Sequence, residues 1–275
     1  MSRILARFSG QKDTPILFIL LTSLVLAWAT PAHATREADA LADLYRVARL
    51  MDAAALDLNM LLGEEQSPAY KARLDETLEK LDTAQKASAA SLAEAGIEAA
   101  KTAAIAENVG AFTRLARVNR DTTMKSGAPE PAVVDEMMQR RKAARDALDP
   151  IYREFEKRAG LIDSPLSEAR ALALLLQQMS ASYVENASAA YSVQRQISTE
   201  ASIDQMARDF GKRLSQLAAR AKGDEATKRV RAIQSKWKFI ERSVLNYQEN
   251  TVPFLVDRYT QVIVGELMAV AELLQ

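Results

Sequence analysis

Residues 41–63 read LADLYRVARLMDAAALDLNMLLG. Leu41, Leu44, Tyr45, Ala48, Met51, Ala55, Leu58 and Leu62 recur at intervals of three and four, so their side chains share one face of an α-helix. Ala and Leu, both strong helix formers, fill much of the remainder, and Gly63 ends the run. Downstream the same spacing returns. Ser67-Pro68 reads as an N-cap followed by a first-turn proline; the helix it opens carries Leu74, Leu78, Leu81 and Leu92 and stops at Gly96. A third helix is expected over 97–125, with Ile105, Phe112, Leu115 and Val118. Ser126-Gly127-Ala128-Pro129-Glu130-Pro131 is a loop, and a fourth helix runs to Arg158 with a kink expected at Asp149-Pro150.

The pattern then starts again. Ser164-Pro165 repeats the Ser-Pro helix start, and 166–196 reads as one long helix. Ser198 or Thr199 is the expected cap of a sixth, carrying Ile203, Met206, Phe210, Leu214 and Leu217. Lys222-Gly223-Asp224 reads as a closing glycine and a new N-cap, opening a seventh with Val230, Ile233, Trp237, Ile240 and Leu245. Thr251-Val252-Pro253 bends the chain into an eighth, with Leu255, Tyr259, Ile263, Leu267, Val270 and Leu274. Helices of ~28 residues are ~42 Å long, and short connections force neighbours to run antiparallel. The expected fold is all-α: long antiparallel helices in two tandem four-helix bundles, residues 35–160 and 161–275. An offset of 125 residues pairs Leu41 with Leu166, Met51 with Leu176, Leu78 with Ile203, Phe112 with Trp237 and Met138 with Ile263. Duplication would produce this register, and so would any two bundles of equal helix length.

Upstream of the helices, Arg3, Arg7 and Lys12 precede the uncharged run PILFILLTSLVLAWA (15–29), and Pro31-Ala32-His33-Ala34 follows. A positive start, a short apolar stretch, a helix-breaking proline and an A-x-A site describe a cleaved export signal over 1–34. The run is shorter than the ~20 residues of a membrane-spanning helix, although an uncleaved inner-membrane anchor is the alternative. A periplasmic location follows for residues 35–275.

Composition narrows the chemistry. The chain of 275 residues has no Cys, and its only His is His33, inside the leader. Thiolate and imidazole metal sites, Cys nucleophiles and His general bases are thus excluded from the remainder, and neither a cofactor, a metal nor an enzymatic activity is expected. With Arg3, Arg7, Lys12 and Asp13 removed, 33 basic and 35 acidic residues remain, a net charge of −2. No basic field exists to attract nucleic acid.

Lys236-Trp237-Lys238-Phe239-Ile240, followed by Pro253, then Val256-Asp257-Arg258-Tyr259-Thr260-Gln261 and Glu266-Leu267-Met268-Ala269-Val270-Ala271-Glu272-Leu273-Leu274, resembles the end of the PilJ-type domain. That family is the extracytoplasmic sensor of type IV pilus chemotaxis transducers and nitrate-responsive kinases. The resemblance covers about 164–275 and implies a sensory four-helix bundle. The family's arginine-rich first-helix box corresponds here to Arg170-Ala171-Leu172-Ala173-Leu174-Leu175-Leu176-Gln177-Gln178-Met179. Gln177 and Met179 fit it, but Ala171, Ala173 and Gln178 stand where the family has arginines, so the implied nitrate contacts are missing in this half. The 125-residue offset places Arg46 at the first arginine position in the N-terminal half, with Arg49 one turn on.

Arg46 and Arg49 are accordingly the candidate ligand-binding residues. Partly buried guanidiniums between helices would hold a small anion; alternatively they flank the core and reach solvent. Trp237 and Tyr183 could line a pocket or simply fill the core, and the same choice applies to Met137-Met138. Arg140-Arg141-Lys142 with Arg145 reads as a solvated face, with Glu136 and Asp146 as partners, and Asp75, Glu76, Glu79, Lys80 and Asp82 read likewise. The functional expectation is a non-enzymatic periplasmic sensory or ligand-binding module that relays to a membrane-bound signalling protein or envelope protein. A structural adaptor is the alternative, and a homodimer is compatible with either.

Overall fold

Proline stands at the first residue of four helices, α2 (Pro68–Glu94), α4 (Pro131–Arg158), α5 (Pro165–Ala189) and α8 (Pro253–Leu273). Its missing N–H is one that a helix start leaves unpaired in any case. The computed structural model of the chain describes residues 16–63, 66–189, 202–249 and 251–274, with backbone only for 16–35 and 189. Its other helices are α1 (Ile16–Gly63), α3 (Ala99–Ser126), α6 (Ile203–Arg220) and α7 (Asp224–Leu245). The fold is all-α, and no strand occurs among the described residues. Gly127 closes α3 with φ 84°, a backbone conformation that side chains with a Cβ disfavour.

Several local expectations shift. Pro31 does not break the chain: α1 is helical straight through it. Proline removes one hydrogen bond and crowds one carbonyl, which bends a helix without having to end it. In the same way α4 continues through Pro150 to place Ile151, Tyr152 and Phe155 in the interior. Ser67 occupies the N-cap position of α2 without a side-chain cap bond, whereas Ser164 Oγ accepts from the Ser167 N–H at 3.0 Å. Gly223, with φ 91°, is itself the N-cap of α7, so Asp224 becomes the first helical residue, where its charge meets the positive end of the helix. Ser202 holds the N-cap position of α6; Ser198 and Thr199 lie outside the described residues.

The apolar stripes bury into two cores. Leu44, Met51 and Leu58 of α1 meet Leu74 and Leu78 of α2, Ile105 and Phe112 of α3, and Leu148 and Phe155 of α4. Leu172, Leu176 and Met179 of α5 meet Phe210 and Leu214 of α6, Trp237 and Ile240 of α7, and Ile263 and Leu267 of α8. Each fully buried side chain of this size contributes roughly 1.5–3 kcal/mol. The cores are not sealed from one another. α1 packs along α5, sends Leu56 and Met60 into the second core, and receives Leu174 against the first. Positions paired by the 125-residue offset fall on corresponding helices: Met51 and Leu176 are both buried, as are Leu78 and Ile203, and Phe112 and Trp237.

Candidate functional site: buried charges along α1

A line of polar groups follows α1 where it meets α4 and α5. At its start Tyr45 and Tyr152 pack with ring centroids 4.7 Å apart. The Tyr152 hydroxyl donates to the Leu44 carbonyl at 2.6 Å, and the Tyr45 hydroxyl donates to Glu156 Oε1 at 2.8 Å. Ser167 of α5 donates to the same carboxylate oxygen. Burial raises both tyrosines above their ordinary pKa, Tyr45 further through the Glu156 charge. Arg170 of α5 completes this end; burial lowers its pKa, opposed by Tyr45 and Glu156, and its Nη1 has no hydrogen-bond partner.

Two turns along α1 lies Asp52, fully buried. Arg141, only 3% exposed, places Nε 3.7 Å from Asp52 Oδ1, and Arg145 places Nη2 3.8 Å from Oδ2. Neither carboxylate oxygen accepts a hydrogen bond, and Arg141 Nη1 has no partner. Between the two clusters on α1 sits Arg49, half-buried, with Nε sealed from solvent and unpaired. Burial lowers its pKa, and the nearby Arg46 adds to this. Arg46 itself is exposed and pairs with Asp43 at 3.2 Å. The two candidate residues therefore diverge: Arg49 turns inward and Arg46 outward.

Arg141 and Arg145 correct the expectation of a solvated basic face. Arg140 and Lys142 do follow it, pairing with Glu136 at 4.0 Å and Asp146 at 2.7 Å. The apolar stripe Val134, Met137, Ala144, Leu148 passes directly through Arg141, and that spacing was the available signal. Asp52 is equally a member of its own helix's stripe. At the 125-residue offset Asp52 corresponds to Gln177, which is also buried.

A second buried charge cluster joins the two cores. Arg73 of α2 donates to Asp257 of α8 at 2.7 and 3.1 Å and pairs with Asp57 of α1 at 2.6 Å. The guanidinium lies 4.7 Å from the centroid of the Tyr70 ring. Thr77 donates to Asp57 at 2.7 Å, and Gln261 to Asp257 at 3.0 Å. Burial pushes the Asp57 pKa up to about 6 against the pull of Arg73. A single Asp within an apolar stripe gives no hint of this cluster, in which Arg73 meets Asp257 from 184 residues away.

Tyr183 and Trp237 are core residues: Tyr183 accepts from the Val252 N–H at 2.8 Å, and Trp237 packs on Phe210 at 4.6 Å. Met137 is buried too, accepting from Asn119. On the outside, Phe239 of α7 stacks on Tyr259 of α8 at 4.8 Å and borders a groove of about 480 Å³ with Phe254, Leu255 and Val262. Among the described residues no helix is long and apolar enough to cross a membrane, and no group of metal-ligating side chains gathers. Compared with protein-family models, with curated proteins and with solved structures, the chain matches none.

Proposed function

We propose that the chain is an exported, non-enzymatic helical-bundle module of the PilJ type that holds a small anion between α1, α4 and α5 and relays its presence to a partner protein. The observation that carries this is the set of unpaired guanidinium nitrogens on those helices: Arg49 Nε, Arg141 Nη1 and Arg170 Nη1. A buried donor without an acceptor is costly, and an anion or ordered water removes that cost. Along this line the buried or half-buried cations Arg49, Arg141, Arg145 and Arg170 face the carboxylates of Asp52 and Glu156, with the exposed Asp149 also near Tyr152. Calorimetric titration of nitrate, sulfate and acetate into residues 35–275 tests it. Binding of one of them should weaken about tenfold or more in Arg49→Gln and persist in Arg46→Ala. Absence of binding by all three at millimolar concentration, or affinity indifferent to Arg49→Gln, would remove the anion from the proposal.

A second function, a structural adaptor, is favoured by the aromatic groove on α7 and α8. Phe239 is 59% exposed and Phe254 55%, although large apolar side chains normally bury. Contiguous exposed apolar surface of this kind is characteristic of interaction sites.

A further inference from the structure

The groove between α7 and α8 faces outward, on the side of those helices opposite Trp237 and Ile263. Of the six large hydrophobic side chains exposed among the described residues, Phe239, Phe254 and Val262 lie together here. Its polar lining is Lys236 and Arg258, with no carboxylate among the lining residues. Neither cation has an ion pair among the described residues. Some surface cations elsewhere are matched within one turn, as in Lys71–Asp75, Lys80–Glu76 and Lys142–Asp146. Lys238 and Arg242 extend the positive character of α7, opposed by Glu241 alone between Lys236 and Arg242.

We infer that this groove docks an amphipathic helix of a partner protein, one that presents an apolar stripe flanked by Asp or Glu. The inference rests on the proposal that the module acts through a partner, and it names that partner's chemistry. Two antiparallel helices leave a furrow whose natural filler is a third helix, laid in by side chains spaced three and four apart. Phe239, Phe254 and Val262 supply the apolar floor, and Lys236 and Arg258 select carboxylates at its rim. A second copy docked through the same face would bring a second Lys236 and Arg258 to the interface and no carboxylate from the groove lining to match them. Lipid is the poorer match because the floor is a furrow rather than a flat face. The groove also lies at the end of the bundle away from the extension of α1 ahead of residue 36, since α7 ends and α8 begins there.

The test places benzoyl-phenylalanine at position 254, and separately at 239, of the full chain in its native host, followed by illumination and sequencing of the crosslinked peptide. A single adduct is expected, on a segment with apolar residues at helical spacing and flanking carboxylates. Its yield should fall about tenfold or more in the Lys236→Glu, Arg258→Glu double variant and return when the flanking carboxylates are exchanged for Lys. Both changes lie on the surface, and unchanged far-ultraviolet circular dichroism verifies the fold. Adducts to lipid, adducts to a second copy, absence of any macromolecular adduct, or a yield indifferent to charge reversal would each overturn the inference. Anion calorimetry with Arg49→Gln does not involve this face, so failure of the groove and failure of the anion site are read separately.

Discussion

Asp52 of α1 and Arg141 of α4 face each other across the N-terminal core at 3.7 Å, both almost wholly withdrawn from water, yet without a hydrogen bond between them. Their attraction is coulombic, and it must offset the desolvation of both charges. Removing one partner is therefore worse than removing both. Arg141→Ala should cost about 3 kcal/mol or more in urea unfolding, while Asp52→Leu combined with Arg141→Leu should recover most of it. Equal losses in the single and double variants would mean that water reaches the pair.

Arg73 performs a comparable task between the two cores, but with two hydrogen bonds to Asp257 and a close pair to Asp57. Arg73→Met leaves two buried carboxylates uncompensated, and a loss of about 3–5 kcal/mol is expected. Adding Asp57→Asn and Asp257→Asn to it should restore much of the stability. Calorimetric melting of the single and the triple variant decides this.

The same cluster gives a pH dependence with a defined sign. Asp57 has a folded pKa of about 6 against 3.8 for the free group. The folded state thus binds this proton more tightly than the unfolded chain, so the group's stabilisation is fully present below pH ~4 and is lost as pH rises through ~6. A shift of this size corresponds to at most about 3 kcal/mol. Asp57 meets Arg73, Thr77 and the Asp257 charge, and Asp57→Asn removes only its own titration. Denaturation midpoints of wild type and Asp57→Asn should diverge between pH 4 and 6 and run parallel above pH 7; parallel curves throughout would contradict the assignment.

Two glycines within helices should respond in opposite ways to alanine. A Cβ at Gly265 meets nothing within 4 Å, so Gly265→Ala should stabilise by about 0.5–1 kcal/mol through lower unfolded-state entropy. At Gly211 a Cβ would lie 3.2 Å from Trp237 Nε1 and from Glu241 Oε1. The carboxylate can swing away, but the indole is held in the core, so Gly211→Ala should lose that gain and shift the Trp237 emission. The only other tryptophan, Trp28, lies ahead of residue 35, which leaves Trp237 as sole reporter in residues 35–275. A Gly211→Ala protein as stable as Gly265→Ala would show that the indole yields.

Export with cleavage after Ala34 should give Thr35 as the first residue by mass spectrometry of the native protein. Recovery of Met1 in a membrane fraction would establish the anchor instead.

The helices were legible because their period is a property of local sequence: Leu74, Leu78 and Leu81 announce a face wherever they occur, and Pro68, Pro131, Pro165 and Pro253 mark starts by chemistry of the backbone alone. Helix ends were less so, since the choice between Gly223 and Asp224 as N-cap turns on one φ angle. Arg49 could be singled out from its place beside the apolar stripe, but Arg46, three residues earlier, turns the other way, and spacing does not resolve a difference of that size. Arg141 was hidden by the charges around it: a basic run looks solvated until one member is set against the stripe it interrupts. Asp57, Arg73 and Asp257 lie on three helices, and no periodicity within one helix can report a meeting among them.

Leu56 and Met60 leave the core of their own helix and enter the other. Cutting the chain in the 159–164 connection should therefore yield fragments that are incomplete rather than independent. Residues 35–160 alone would carry Leu56 and Met60 bare to water and leave Asp57 and Arg73 without Asp257. Mixed together, the fragments have every reason to reassemble without the covalent link. The chain can then serve as a split protein whose recovered α1–α5 seam, read out by Trp237 in one fragment, reports when the other is present.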